Sequence, residues 1–495
     1  MKVQLFVPPA GYLAERWSKG TLMPPLGILY IAAVLEKAGI AVEVIPADLL
    51  NLSWREIGQK IETGQADIIG VTSTTENRFQ SFKLLQVARW ANPKAITVLG
   101  GPHASMAAED ALTHFPEIDV VVRGEGELTM LEICRALQEK KNLENLRPVA
   151  GISFRLNGQI ITNPLRPFIA DLDALPYPAF HLVPFEKYNF RIEVPGKGRL
   201  PAVNLMTSRG CPFSCNFCAT PINWGRHVRV RSPLNVIEEI EFLIEKYGAQ
   251  VIYFYDDTFN LSQRRVEEIT ELMIERKLPI YWCCEVRIDL MTKALLARMK
   301  EAGLFQISFG LEAGSERIRN EIINKKINIR DFHNLVAWCQ ELEIIPSVFF
   351  IFSHPTETWE EAQETIKIIE TYREQIEATV AILHIYPGTP LEKMAREKGI
   401  LPANFTWSKK HLPGVITLPT AQGDVPLYVD QLTWAQISEL LFRWSMSGGR
   451  ISLWRKAINS FKNIRCFADF KRYVIMALVF LRLKLRSIWE KPRNK

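Results

Sequence analysis

Three cysteines stand in the run Arg209-Gly-Cys211-Pro-Phe-Ser-Cys215-Asn-Phe-Cys218, with the spacing C-x3-C-x2-C. One short loop therefore offers three thiolates and no obvious fourth. Thiolates select soft metals and iron–sulfur clusters. A structural zinc site closes with four ligands, so zinc would have to recruit Cys283, Cys284 or a histidine such as His227. A four-iron cluster held by three cysteines leaves one iron open instead, and an open iron can bind a substrate or cofactor.

The elements around this loop form two β-α series. In the first 140 residues, short apolar runs at 3–7, 42–46, 68–72, 96–99 and 120–122 alternate with amphipathic helical stretches. Such alternation predicts a parallel sheet with helices on both faces. Ligands of such sheets bind outside the carboxyl ends of the strands. The loops expected there are rich in small residues: Thr72-Ser73-Thr74-Thr75, Gly100-Gly101-Pro102-His103 and Arg123-Gly124-Glu125-Gly126. Small side chains let backbone approach a large ligand closely. Residues 141–200 read as a connector, with an Asn157-Gly158 hairpin signal and a proline-rich passage ending at Pro178. A second series follows over 201–390, with six strands at 203–206, 251–255, 281–286, 306–309, 347–352 and 379–385. The cysteine loop comes directly after the first of these, at the end where β-α barrels place their chemistry.

The cysteine loop and its setting resemble the radical S-adenosylmethionine enzymes. The phrases Pro24-Pro25-Leu-Gly27, Gly100-Gly-Pro-His103 and Gly124-Glu-Gly-Glu127 resemble the cobalamin-binding domain that precedes many of them. The resemblance implies a flavodoxin-like cobalamin domain at 1–140, a partial (β/α)6 barrel at 201–390 and a helical capping region at 391–495. It implies three cofactors: a [4Fe-4S] cluster on Cys211, Cys215 and Cys218, S-adenosylmethionine chelated by the open iron, and cobalamin. Thr72, Ser73, Gly100, Gly101, Pro102, Gly124 and Glu125 are the expected cobalamin contacts. No Asp-x-His-x-x-Gly occurs, so cobalt would lack that motif's lower histidine. His103 suits a phosphate or corrin-edge contact better than that role.

For S-adenosylmethionine, the resemblance assigns Phe217 to adenine and Asp256 to the methionine ammonium. Arg287 can meet the carboxylate bidentately, and Glu312 can accept from ribose or ammonium. One loop departs from the pattern. Where the family has Gly-x-Pro-Gly-Glu-Thr, this chain has Ser353-His354-Pro355-Thr356-Glu357-Thr358. Both glycines are replaced, which predicts a reshaped adenine pocket. Cys283 and Cys284 are adjacent on a strand and point to opposite faces. One of them is a candidate hydrogen donor to a substrate radical, and burial as small hydrophobes is the competing role.

At 495 residues the chain exceeds one core, and 47% hydrophobic with 23% charged residues is a globular composition. Eight cysteines, three of them clustered, do not form a secreted disulfide framework. The opening residues read as a short strand ended by prolines, not a signal peptide. These features predict a cytoplasmic protein. The net charge of +6 is uneven: residues 450–495 hold 13 Lys and Arg against two acids, which leaves the rest of the chain at −5. Nucleic acid is therefore not an expected partner. The tail pairs a short apolar run at 473–481 with flanking Lys and Arg. It is too short to span a bilayer. It reads either as a basic amphipathic helix on the inner membrane surface or as a helix docked on the barrel. Membrane contact would suit a lipid-like substrate.

The leading expectation is C-methylation of an unactivated carbon, with a 5′-deoxyadenosyl radical abstracting hydrogen and methylcobalamin supplying the methyl group. A reducing partner such as flavodoxin or ferredoxin is implied. The alternatives are a radical oxidative cyclase or ring-rearranging enzyme with the same cofactors, and a non-enzymatic cluster or cobalamin sensor or carrier. A methylthiotransferase would need a second cysteine triad, and residues 1–200 hold only Cys134.

Overall fold

The computed structural model describes residues 1–9, 22–138, 142–410, 415–419 and 424–447, with four isolated positions at 474, 477, 478 and 481. The basic C-terminal segment, apart from those four positions, and Cys466 lie outside the described residues.

The first sheet contains β1 (Lys2–Val7), β2 (Ala41–Pro46), β3 (Ile68–Thr72), β4 (Ile96–Gly100), β5 (Val120–Val122), β6 (Ile152–Leu156) and β7 (Gln159–Thr162). Its order is β2-β1-β3-β4-β5-β6-β7. The first five strands are parallel, and β6 and β7 join antiparallel. Nearly continuous apolar runs such as Val3, Leu5 and Phe6 are buried on both faces, as a helix-covered parallel sheet requires. The hairpin read as part of the connector extends this sheet. Asn157 and Gly158 both take positive φ, +49° and +80°, which is the turn that matches strand twist.

The second sheet holds β8 (Arg191–Val194), β9 (Gly198–Leu205), β12 (Val251–Phe254), β13 (Tyr281–Glu285), β14 (Leu304–Glu312), β15 (Ile345–Phe352) and β16 (Glu377–Ile382). Its order is β16-β15-β14-β13-β12-β9-β8. The six strands from β9 to β16 are parallel, and β8 adds an antiparallel edge. This is an open half-barrel with the six expected β-α units. Helix entries are explicit: Ser232 caps the helix Pro233–Tyr247, and Thr358 forms a capping box with Glu361 at the helix Trp359–Thr371. Between β9 and β12, the two-residue strands β10 (Ser208–Arg209) and β11 (Arg229–Val230) pair antiparallel and enclose the cysteine loop.

One hydrophobic core runs through both sheets, from Leu29 and Phe180 to Val203, Phe254 and Trp282. Asn204 Nδ2 also donates to the Pro24 carbonyl at 3.1 Å, and Ala179 N to Leu29 O at 3.1 Å. The carboxyl ends of the two sheets therefore meet.

Candidate radical and corrin site

The cysteine loop is anchored along its whole length. Gly210 takes φ +101°, and a Cβ there would lie 2.5 Å from His227 O, so only glycine fits. Cys211 N donates to Gly225 O at 3.2 Å, and Asn216 N donates to Ile323 O at 3.2 Å. Asn216 Nδ2 reaches Ile322 O at 2.6 Å, and Asn324 Nδ2 reaches Ser214 O at 3.2 Å. Cys211 Sγ lies 4.0 Å from Thr258 Oγ1. The three thiols are half-buried and free. Among the described residues, no three His, Cys, Asp or Glu side chains gather closely enough for a single metal ion. Burial pushes the Cys215 thiol up to about 11, while Lys325 and Arg287 pull it down. Three half-buried thiols from one loop fit a multi-iron cluster held by cysteine thiolates, and Lys325 and Arg287 favour the Cys215 thiolate.

The hub that holds the loop is the turn after a π-helical segment, Ile318–Ile322. Arg287 lies across the Phe213 ring, with its guanidinium carbon 3.6 Å from the centroid. It donates through Nη2 to Lys325 O at 2.5 Å and ion-pairs with Asp289 at 2.7 Å. Glu312 sits at a bulge of β14 with φ +68° and pairs with Lys325 Nζ at 2.5 Å. The ends of β13 and β14 thus both converge on residues 324–326. The π-helical turn and the contacts of Lys325 and Asn216 leave no local pattern in the sequence. The positive φ of Asn324 and Lys326 comes from tertiary contacts that helical periodicity does not report.

Phe217 packs between two apolar groups, one containing Leu391 and Ala395 and the other Ala313 and Ile318. Asp256 is buried, and both oxygens face the base of the loop: Thr207 N donates to them at 3.0 and 3.2 Å, and the Ser208 hydroxyl also donates. Burial raises its pKa even so. Its neighbour Asp257 accepts from Thr220 Oγ1 at 2.8 Å, and burial pushes it up to about 6. Tyr255 reaches the cavity described below. Cys283 and Cys284 do face opposite sides, as alternation requires. Cys284 joins the main core, and Cys283 packs with Phe305 and Tyr253. Neither lines the cavity, and burial pushes Cys283 up to about 12.

The loop that lacks its glycines keeps a glycine-like backbone. Ser353 and Thr356 take φ of +72° and +59°, a region disfavoured for residues with a Cβ. Glu357 holds the loop closed, accepting from Ser353 N at 2.6 Å and His354 N at 3.1 Å. Burial pushes the Glu357 carboxyl up to about 8 and the His354 imidazole down to about 4.

Between the two sheets lies a cavity of about 580 Å³. Its walls include Thr72, Gly100, Gly101, Pro102, Gly124 and Glu125 from the first domain, and Asn204, Met206, Arg209, Asn223, Trp224 and Tyr255 from the barrel side. Of the expected cobalamin contacts only Ser73 is turned away. It is fully buried, its N–H donates to Gly100 O at 2.8 Å, and Thr74 lines the cavity in its place. His103 also faces inward. It contacts Thr75 Oγ1 at 3.2 Å through Nδ1 and packs edge-on to Phe82 and Trp407, and burial beside Arg78 holds it well below its ordinary pKa. Gly100 has open space where a Cβ would go. Asn204 Oδ1 and Asn223 Oδ1 are buried without partners. Open glycine and waiting acceptors fit a corrin ring edged with amide donors.

A fully buried ion network closes one side of the cavity. Arg209 donates to Glu125 Oε1 at 2.9 Å and Glu127 Oε1 at 2.6 Å, and Arg229 donates to the same Glu125 oxygen at 2.6 Å. Burial works against the Arg209 charge, but Glu127 and Glu125 hold its pKa above the ordinary value.

A parallel-sheet domain opening onto a half-barrel, with a three-thiol loop beside the shared cavity, defines a two-cofactor radical enzyme. Residues 205–369 match the Radical SAM superfamily, and residues 18–134 match the B12 binding domain. The chain is 33% identical over 409 residues to an uncharacterized methyltransferase, PH0819, of Pyrococcus horikoshii, covering 83% of this chain and 86% of that protein. It is 30% identical over 403 residues to an anaerobic magnesium-protoporphyrin IX monomethyl ester cyclase of Rubrivivax gelatinosus, covering 80% and 70%. The structure of the cobalamin-dependent S-adenosylmethionine radical enzyme OxsB, with aqua-cobalamin and S-adenosylmethionine bound, superposes with a TM-score of 0.71 at 17% identity, covering all of this chain and 73% of that one. The chain belongs to the cobalamin-dependent radical S-adenosylmethionine enzymes.

Proposed function

We propose that the protein transfers a methyl group to an unactivated carbon of a small molecule. The cavity walled by both domains carries this reading, because it brings the cobalamin wall and the cluster-loop wall to one substrate space. The relative with the higher identity is named a methyltransferase. When bound, the cofactors supply one-electron cleavage of S-adenosylmethionine and carriage of a methyl group. The residues divide the remaining work. Cys211, Cys215 and Cys218 hold the cluster, and Arg287 and Lys325 place positive charge beside it. Asp257 and Tyr255 after β12 and Glu312 at the end of β14 are the polar groups that would meet S-adenosylmethionine. Thr72, Thr74, Gly100, Gly101, Pro102 and Gly124 line the corrin side, and Asn204 and Asn223 offer it acceptors.

The similarity to a cyclase favours a second reading, radical oxidation without methyl transfer. Anaerobic reconstitution with iron, sulfide and hydroxocobalamin, followed by S-adenosylmethionine, a reductant and candidate substrates, separates the two. Methyl transfer yields both S-adenosylhomocysteine and 5′-deoxyadenosine. Deoxyadenosine without S-adenosylhomocysteine would favour the cyclase type, and neither product would leave a carrier. Cys211→Ala should abolish deoxyadenosine. This reading places the protein in the cytoplasm with a flavodoxin- or ferredoxin-like reductant. Among the described residues no helix is long and apolar enough to cross a membrane, and the basic C-terminal segment is the candidate for peripheral contact.

A further inference from the structure

We propose that Glu125, on the cobalamin domain, is the positioning residue of the cluster loop: it bridges the like-charged Arg209 and Arg229 at the foot of that loop, with Glu127 as the second counter-charge, and so seats the loop against the corrin pocket. This rests on the two-cofactor reading and not on methyl transfer. Arg209 and Arg229 are directly opposite each other in the β10–β11 ribbon. Like charges in that relation push the strands of an antiparallel pair apart. The ribbon cannot splay to relieve them, because Gly210 is packed against the His227 carbonyl and Cys211 N is bonded to Gly225 O. Nor can water screen them, since both guanidiniums are 3–4% exposed.

The counter-charge comes from the other domain. A single Glu125 oxygen accepts from both arginines, and its second oxygen accepts from Ile169 N at 2.6 Å in the connector. Glu127 meets Arg209 alone. Among the described residues, Glu125 alone therefore joins both strands of the ribbon, the connector and the cobalamin domain. Asp256 grips Thr207 and Ser208 from the barrel side, so both domains place buried carboxylates at the base of the cysteine loop. Arg209 lies two residues before Cys211, and any shift of Glu125 passes to the first cluster ligand through that dipeptide.

The test uses the full chain as wild type, Glu125→Gln, Arg229→Gln and the double variant. Each is reconstituted with iron and sulfide and loaded with hydroxocobalamin. The readouts are iron and sulfide per chain, cobalamin per chain, and the effect of the reduced cluster on the spin relaxation of cob(II)alamin. Glu125→Gln should lose cluster content severalfold, or retain both cofactors with a weakened magnetic effect. Adding Arg229→Gln removes the like-charge opposition and should restore most of the loss. Wild-type behaviour of Glu125→Gln overturns the proposal, and so does a double variant no better than the single one. If Glu125→Gln does not fold, the double variant decides: a folded, cluster-loaded double variant supports the proposal and an unfolded one overturns it. No methyl product is read, so failure here is separate from failure of the methyltransferase reading.

Discussion

The two domains meet along two seams built from different chemistry. On the cluster side, Arg209 and Arg229 of the barrel face Glu125 and Glu127 of the cobalamin domain, all four within 3–4% exposure. On the far side, chain beyond the last barrel strand returns to the cobalamin domain. There Arg78 Nε donates to Trp407 O at 2.8 Å, Ser408 Oγ to Asp110 Oδ2 at 2.9 Å, and Tyr386 OH to Glu76 Oε1 at 2.9 Å. Rings fill the rest, with Trp407 edge-on to His103. The ionic seam is intolerant: each charge is desolvated and has few partners, so displacement strands it. The far seam mixes single hydrogen bonds with ring contacts, which weaken gradually as groups separate. Rigidity is concentrated where the cysteines sit, and adaptable contact where the chain beyond the last barrel strand returns to the cobalamin domain.

Mutations can break this contrast. Arg209→Met strands Glu127 and half of the Glu125 charge, and should cost about 3–5 kcal/mol in urea unfolding, with little relief from added salt. Arg78→Ala on the far seam removes hydrogen bonds to the Trp407 and Thr75 carbonyls and ring contact with Phe79 and Trp407. It should cost less, about 2–3 kcal/mol, since its acceptors are neutral. Acid should weaken the far seam through its buried histidines, and the barrel loop at His354 by the same route. Burial depresses the pKa of both His103 and His384, so the unfolded chain takes up their protons first. The stability they give is full above about pH 6.5 and falls as pH drops below it, by at most about 1.4 kcal/mol per pH unit for each histidine. His384→Gln should flatten the slope of melting temperature between pH 7 and 5; an unchanged slope would assign the acid sensitivity elsewhere. The smallest effect belongs to Tyr386→Phe, which gives up one hydrogen bond to Glu76 and should cost about 1 kcal/mol. If that loss matched Arg209→Met, the contrast between the seams would fall.

The division between seams also marks what could be read from the sequence. The cysteine loop and the parallel strands of both sheets are local patterns, C-x3-C-x2-C and short apolar runs, and reappear where expected, whereas edge strand β8 was not foreseen and the Asn157-Gly158 hairpin joins the first sheet. Roles that depend on distant partners were not legible. Glu125 stood in a loop that read as corrin contact, and its bonds to Arg209 and Arg229 span 84 and 104 residues. Asp256 and Asp257 are adjacent and of one type; only the fold shows that the first is consumed by Thr207 and Ser208. His103 looked available because Gly-Gly-Pro precedes it, yet the helix Pro102–Met106 turns it toward Phe82. The replaced glycines predicted a reshaped adenine pocket; the backbone there keeps the positive φ that glycine would take, with Glu357 accepting from Ser353 N and Asp430 from Thr356 N.

The ion network has a consequence for the order of maturation. The carboxylate that quiets the β10–β11 ribbon is made about eighty residues earlier in the chain, so during synthesis the amino-terminal domain is already folding when the two arginines appear. Cluster loading is then gated by domain folding. A barrel released without its predecessor would present two uncompensated guanidiniums beside Cys211, and a chain whose first domain is misfolded should stay without iron rather than generate radicals beside an empty corrin pocket.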